Sequence, residues 1–126
     1  MTNLENNIYC LIAKNAMSDQ ERVALRYANE LYSYKELFIK IDTLSFFLKK
    51  KNLRAGDKIL LAFTRGPESL ISILCAIKLG LVFVPINVNS SSKLVSSYQK
   101  ELDCKFALTN CPIFAASMNE IIKTDT

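Results

Sequence analysis

The residues of this chain that could do chemistry are few, and histidine is not among them. The sequence contains no His, so it lacks the side chain that most often serves as a general base, proton shuttle or metal ligand. Catalysis by a Ser–His–Asp or Cys–His arrangement, or by a metal held on imidazole, is therefore excluded within these 126 residues.

The carboxylates are scattered along the chain. Asp19 and Glu21 precede a predicted hairpin, Asp42 is expected to face solvent, and Glu101 and Asp103 end a predicted helix. General acid–base catalysis needs two carboxyl groups that converge on one pocket with separated pKa values. No such pair is indicated, so we predict no catalytic residue and no metal ligand.

Two loops follow predicted strands, where ligands of open α/β sheets bind. Thr64–Pro67 lies at a helix N-terminus, where backbone N–H groups and Arg65 could hold an anion. It lacks the spacing of a dinucleotide-binding or P-loop motif, so an ordinary strand-to-helix turn is favoured. Asn87–Ser92 offers hydroxyls and amides but no activating base, which favours a capped helix entry. The cofactor-binding residues stay unknown.

The cysteines do not form a recognisable metal site. They contain no Cys-x-x-Cys pair, so zinc would need all four brought together. The start, Met1–Asn7, is polar and not basic, unlike a secretory signal. We therefore expect reduced thiols in a cytoplasmic protein. The four positions are Cys10, Cys75, Cys104 and Cys111.

The chain is mildly basic, with a formal net charge of +4. Its one cationic run is Lys49–Lys51, with Arg54 just beyond, at the end of a predicted helix. Cations complement the helix dipole there. A solvated helix end is therefore favoured over a patch for a phosphate backbone, and we expect no nucleic-acid partner.

One apolar stretch, Leu70–Ile86, imitates a membrane span. It contains Ser72 and Lys78 and is broken by Gly80 and Pro85. A true span needs about 20 predominantly apolar residues. We expect a helix and a strand of a soluble protein and no membrane partner.

The elements that must position these residues begin with a helix and a hairpin. A length of 126 residues with 50% hydrophobic residues suits one domain. Apolar spacing predicts a helix over Leu4–Met17. Val23–Tyr27 and Leu31–Tyr34 are predicted to form a β-hairpin in which Asn29 takes the left-handed turn position.

The best-signalled helix follows the hairpin. Ser33 and Glu36 have the spacing of a capping box, and Tyr32 and Leu37 occupy the flanking staple positions. The apolar stripe predicts that this helix runs to about Lys51.

Strands and helices then alternate, which indicates right-handed crossovers and a small parallel sheet. The unbroken apolar strands are typical of parallel strands buried on both faces. In the tail, Pro112–Thr126, we predict a helical turn around Met118–Ile122. The predicted order is strand Lys58–Phe63, helix Pro67–Leu79 closed by Gly80, strand Leu81–Ile86, helix Lys93–Leu102 and strand Lys105–Thr109.

Four of these segments resemble motifs of one family. Leu31–Leu37 is similar to a Leu-Thr-Tyr-x-Glu-Leu core, and Ala55–Ile59 to Pro-Gly-Asp-x-Val. Ile77–Asn87 resembles Leu-Lys-Ala-Gly-x-Ala-Tyr-Val-Pro-Leu-Asp, and Phe106–Asn110 a strand that usually ends Leu-Leu-Thr-Asp. In this order the motifs resemble the N-terminal segment of adenylate-forming enzymes, the AMP-binding superfamily. Adenylation domains of nonribosomal peptide synthetases, acyl-CoA synthetases and luciferases belong to it.

The resemblance covers about residues 15–110 and leans to the amino-acid-activating branch because of the Val-Pro-Ile-Asn sequence that ends at Asn87. Two departures stand out. Asn87 replaces the usual acidic residue, and Ser90–Ser92 lacks the Pro of many relatives.

The resemblance implies a ligase that activates a carboxylic or amino acid as an acyl adenylate, with ATP and magnesium in the full-length family. The family's triphosphate-gripping loop, ribose-binding Asp, magnesium-binding acid and catalytic Lys all come later than the point where this chain ends. No family catalytic residue can therefore be placed on this sequence. We expect residues 1–126 to form a single partial domain that holds no cofactor, is inactive alone, and works with the rest of the enzyme or a carrier-protein system.

Two other interpretations stay open: a non-catalytic binding or regulatory module on the same scaffold, and an unrelated flavodoxin-like domain. On any of them, too few helices are predicted to cover both faces of the sheet. We therefore expect an exposed apolar surface and a tendency to self-associate.

Overall fold

The described part of the fold begins with a helix whose N-cap side chain makes one local and one long-range hydrogen bond to the backbone. The structure is a computed structural model that describes residues 7–110 and 121–123. Asn7 precedes α1, accepts from the Cys10 N–H and donates to the Ile77 carbonyl. The elements are α1 Ile8–Met17, β1 Val23–Tyr27, β2 Glu30–Ser33, α2 Tyr34–Lys49, β3 Lys58–Ala62, α3 Pro67–Leu79, β4 Val82–Pro85, α4 Ser92–Leu102, β5 Cys104–Thr109 and β6 Ile121–Lys123.

The strands form two sheets. β1 and β2 pair antiparallel as a hairpin, and the other four form a parallel sheet in the order β4-β3-β5-β6. The predicted α/β class is confirmed: a helix and a hairpin precede alternating units that build a small parallel sheet.

The hairpin turn differs from the prediction at one residue. Tyr27 pairs with Glu30, so Ala28 occupies the first central position of the turn, which needs a positive φ in hairpin turns. Ala28 has φ 52°, and Asn29 is not among the positive-φ residues. The assignment of the left-handed position to Asn29 was therefore wrong.

Both long helices of the core begin as predicted. The Ser33 hydroxyl accepts from the Glu36 N–H at 3.1 Å, while the Glu36 carboxylate accepts from the Ser33 N–H at 3.3 Å, which completes the capping box. α2 ends at Lys49, two residues earlier than predicted. α3 begins at Pro67 and ends where Gly80 turns left-handed, with φ 71°.

β3 is covered on both faces, as its apolar run predicts. Ile59 and Leu61 belong to a core cluster shared with α1, α2 and α3. Leu60 belongs to a second cluster, which Val95 of α4 completes. Three helices therefore cover one face, and α4 packs on the other.

β4 was predicted to be a buried strand, and this was wrong. Among the described strands it pairs with β3 alone and lies at the edge of the sheet, and Val82 remains 45% exposed. The N–H groups of Val82 and Ile86 donate hydrogen bonds to backbone carbonyls of the segment that contains β3. Pro85 has no N–H to offer a further strand, which protects this edge.

The tail also differs from the prediction. Ile121 and Ile122 lie in β6, parallel to β5, and not in a helical turn. Isoleucine is β-branched and favours strands, and here it pairs with the backbone of β5. Residues 118–120 of the predicted turn, and 4–6 of the first predicted helix, lie outside the described residues. Within the described part, no helix combines the length and apolarity needed to cross a membrane.

Candidate functional site

A cleft of about 500 Å³ opens between the hairpin turn and the carboxyl ends of β3 and β5. It contains the predicted loop Thr64–Pro67. The carboxyl edge of a parallel sheet is the usual ligand position in this class of fold. The lining residues are Tyr27, Ala28, Asn29, Glu30, Tyr32, Thr64, Arg65, Gly66, Pro67, Glu68 and Asn110.

Long-range hydrogen bonds hold the walls of the cleft together. The Asn110 side-chain oxygen accepts from the Thr64 N–H at 3.0 Å and from the Thr64 hydroxyl at 3.3 Å. On the other wall, the Tyr27 hydroxyl donates to the Arg65 carbonyl at 3.1 Å. The hairpin and both strand ends are thus fixed to the same four-residue loop.

The charged side chains that line the cleft disfavour the binding of an anion. Arg65 is its only cation among the lining residues, against the carboxylates of Glu30 and Glu68. Glu68 Oε2 would lie 2.8 Å from a Cβ placed on Gly66, so this carboxylate already sits beside the first turn of α3. Such a carboxylate interacts favourably with the helix dipole and repels a phosphate at the same place.

The Glu30 carboxylate accepts a hydrogen bond within the cleft. The Tyr32 hydroxyl donates to its carboxylate at 2.5 Å. This hydrogen bond, with smaller effects of burial and of neighbouring carboxylates, raises the pKa of Tyr32 to about 12. Tyrosine is neutral at ordinary pH, and the raised pKa keeps the Tyr32 hydroxyl a hydrogen-bond donor into the alkaline range.

The second predicted loop serves the helix that follows it. The Ser91 hydroxyl accepts from the Leu94 N–H at 3.2 Å and caps α4. The Asn87 side chain accepts from the Asn89 N–H at 2.8 Å, which closes a local turn. The capped helix entry is confirmed, and none of these residues lines the cleft.

Two of the described thiols are protected from reaction by burial. Cys75 and Cys104 are buried, and burial raises the pKa of both thiols. A raised pKa keeps a thiol protonated and unreactive. Across residues 7–110 and 121–123, no group of three or more His, Cys, Asp or Glu could hold a metal ion. Cys111 lies outside the described residues.

The sequence pattern indicated one wall of the cleft and not the other. Thr64–Pro67 was identified from its place after a strand, whereas the hairpin turn and Asn110 were not assigned to the site. Their contacts bridge 38 and 46 residues of sequence, and no local pattern encodes such distances. The only available signal was that Asn110 follows a parallel strand, as Thr64 does.

The comparisons with known proteins agree with this architecture. The family described as AMP-binding enzyme matches residues 12–126. The chain is 26% identical over 90 residues to bacitracin synthase 1 of Bacillus licheniformis, covering 71% of the chain and 2% of the synthase. It is 30% identical over 86 residues to a 2-succinylbenzoate–CoA ligase of Salmonella typhimurium, covering 68% of the chain and 19% of the ligase.

Solved structures show the same fold. The N-terminal subdomain of NpsA from Klebsiella oxytoca, in complex with 3-hydroxyanthranilyl-AMSN, superposes with a TM-score of 0.80 at 20% identity. The match covers 98% of this chain and 32% of that one. The chain thus spans a third or less of the relatives described here. Because the family match extends over most of its length, the chain belongs to the AMP-binding enzyme family.

Proposed function

We propose that this chain supplies the N-terminal part of an adenylate-forming ligase, which uses ATP to activate a carboxylic or amino acid as an acyl adenylate. In that reaction a carboxylate oxygen attacks the α-phosphorus of ATP, and pyrophosphate leaves. The observation that carries the proposal is the family match over residues 12–126. The parallel sheet, whose strands all end at the same edge, agrees with it.

The chain's own contribution in this proposal is structural. It builds the β4-β3-β5-β6 sheet and the helices that cover it, so that other parts of the enzyme can be positioned. Residues 1–126 act as one partial domain, and the acid substrate is selected elsewhere.

The cleft does not fit ATP or magnesium. A nucleotide triphosphate needs several cationic and backbone donors to offset its charge, but carboxylates outnumber cations among the lining residues. The described residues also lack a cluster of acids for a divalent ion. The proposal therefore places ATP and magnesium on other parts of the enzyme, and the chain alone is inactive.

A carrier-protein system is the partner of the assembled enzyme in this proposal. One solved structural neighbour is an artificially fused adenylation–PCP di-domain from Klebsiella oxytoca, with a TM-score of 0.80 at 22% identity. That protein supports a partner of the same kind for an enzyme that contains this chain.

ATP–pyrophosphate exchange with a mixed pool of amino and fatty acids tests the proposal. The chain is assayed alone and with the polypeptide encoded by the next downstream reading frame. Exchange only with both components supports it. Exchange by the chain alone would show that its own residues are competent. No exchange in either sample, with the chain folded by circular dichroism, would favour the non-catalytic binding module.

A further inference from the structure

Helix α2 carries apolar side chains on its outer side as well as on its buried side. Ile39, Phe46 and Phe47 are 56%, 64% and 44% exposed, respectively. Ile39 and Phe46 are seven residues apart and therefore lie on one side of the helix, away from the buried Ile41 and Leu48. A helix on the surface of a domain normally presents polar residues to water. Two adjacent exposed phenylalanines indicate a contact surface.

Cations surround these two rings. Lys50 Nζ lies 4.5 Å from the centroid of Phe46, and Lys51 Nζ lies 5.5 Å from that of Phe47. Lys49 and Arg54 are close to these lysines in sequence and are also exposed. We call this group the aromatic–basic patch. Its members are Phe46, Phe47, Lys49, Lys50, Lys51 and Arg54.

The backbone that carries the patch is held in place. The N–H groups of Lys50 and Lys51 donate to the carbonyls of Phe46 and Leu48 at 3.3 and 3.0 Å. The Asn52 N–H then donates to the Lys49 carbonyl at 3.1 Å and closes the helix end. A surface fixed in this way loses less entropy on binding than a mobile loop.

The patch is rich in positive charge, with four cations among its six members. The Asp57 carboxylate accepts from the Arg54 backbone N–H at 2.9 Å. Within residues 7–110, the four cations form no salt bridge, while Lys78 pairs with Asp42 elsewhere. The patch therefore attracts an anionic partner.

We propose that the aromatic–basic patch is a docking site for a partner protein that presents an amphipathic helix, with apolar side chains on one face and carboxylates on both flanks. Phe46 and Phe47 pack against the apolar face, and the lysines and Arg54 pair with the carboxylates. A buried aromatic centre with a charged rim is the common arrangement of protein interfaces. Charge complementarity of this kind also speeds association. The proposal does not depend on the ligase function.

Three other occupants fit the patch less well. In a symmetric dimer the same cations would face each other and repel. Single-stranded nucleic acid is bound along a positively charged groove that follows its backbone, whereas the lysines of the patch lie at one helix end. For a membrane, two rings at one helix end are a small apolar face compared with that of interfacial helices.

A labelled peptide tests the proposal by fluorescence anisotropy with the 126-residue chain. The probe is a synthetic amphipathic helix with Leu along one face and Glu on both flanks. We expect Phe46→Ser with Phe47→Ser, and Lys49→Gln with Lys50→Gln and Lys51→Gln, each to weaken binding about tenfold. A peptide with Ser in place of Leu should bind about tenfold more weakly to the unaltered chain.

Matched controls change similar residues elsewhere on the surface. Leu11→Ser with Met17→Ser removes two other exposed apolar side chains, which are 58% and 75% exposed. Lys14→Gln, Lys93→Gln and Lys100→Gln together remove three exposed lysines outside the patch. These variants should bind within about twofold of the unaltered chain. All variants are checked for folding by circular dichroism and thermal melting.

The outcomes separate the occupants. If the patch and control variants lose affinity for the peptide equally, net charge alone explains the binding and the proposal is overturned. Tighter binding to polyuridylate or to phosphatidylserine vesicles than to the peptide, lost in the patch variants, would assign the patch to RNA or membrane instead. A concentration-dependent dimer abolished by Phe46→Ser with Phe47→Ser would assign it to a second copy.

Discussion

The side-chain oxygen of Asn110 accepts two hydrogen bonds from Thr64, one from its N–H and one from its hydroxyl, across 46 residues of sequence. Asn110 follows β5 and Thr64 follows β3, so this pair joins the carboxyl ends of two neighbouring strands. It closes one wall of the candidate site. The resembling family motif ends in Asp at this position, and a carboxylate oxygen could accept the same two bonds.

Removing this acceptor should loosen the cleft. We expect Asn110→Ala to lower the free energy of unfolding by about 1 kcal/mol, because the Thr64 N–H and hydroxyl lose their partner. Asn110→Asp keeps the acceptor and should stay within about 0.5 kcal/mol of the unaltered chain. Urea unfolding followed by circular dichroism measures both. Equal losses in the two variants would show that the hydrogen bonds do not matter.

The two-sided burial of β3 is testable by truncation on each face. Ile59→Ala opens the face covered by α1–α3, and Leu60→Ala opens the face covered by α4. Each should cost about 3 kcal/mol of unfolding free energy. Val82→Ala, at the exposed edge strand, should cost no more than about 0.5 kcal/mol. A small effect of Leu60→Ala would mean that α4 does not cover its face.

The turn at Ala28 carries backbone strain that glycine would relieve. An L-residue in the left-handed region costs roughly 1–2 kcal/mol, and glycine loses roughly 0.5–1 kcal/mol through its greater freedom in the unfolded chain. Ala28→Gly should therefore raise the melting temperature slightly. Ala24→Gly, within β1, should lower it. A decrease for Ala28→Gly would argue against the positive φ of this residue.

Tyr9 should make the stability of the chain depend on alkaline pH. Burial first, then the Asp42 carboxylate, raises the pKa of Tyr9 from 10.0 to about 12. The folded state therefore binds this proton more tightly than the unfolded state, and its contribution is complete below pH 10.0 and lost as the pH rises to about 12.

Urea unfolding across that pH range measures the effect. The unfolding free energy of the unaltered chain should fall more steeply than that of Tyr9→Phe, which has no proton to lose. Measurements below pH 10.0 serve as the control, because there Tyr9 is protonated in both states and the two curves should be parallel. Parallel curves for Tyr9→Phe and the unaltered chain would contradict the raised pKa.

Local signals predicted the helices and most of the strand bounds. Ser33 and Glu36 fix the start of α2 because both partners lie within one turn, and Pro67 and Gly80 bound α3 for similar reasons. The parallel class followed from the alternation of elements. Its strand order did not, because pairing between β3 and β5 depends on contacts distant in sequence.

The errors share this cause. β4 looks like a buried strand in sequence, but its place at the sheet edge exposes Val82. Ile121 and Ile122 pair with β5 instead of forming a local turn. In the cleft, Glu30 and Asn110 came together only through tertiary contacts. The apolar exposure expected from the helix count appears at several side chains, while self-association stays a prediction.

Complementation of acid activation tests the central claim most directly. The chain is titrated into a fixed amount of the downstream polypeptide, and ATP–pyrophosphate exchange is measured with the acid pool. We predict exchange that rises with added chain and saturates near equal amounts of the two polypeptides. It should be lost with Ile59→Ala, if that variant is unfolded, and kept with Val82→Ala. Exchange by the downstream polypeptide that does not change as the chain is added would contradict the proposal that the chain is part of this enzyme.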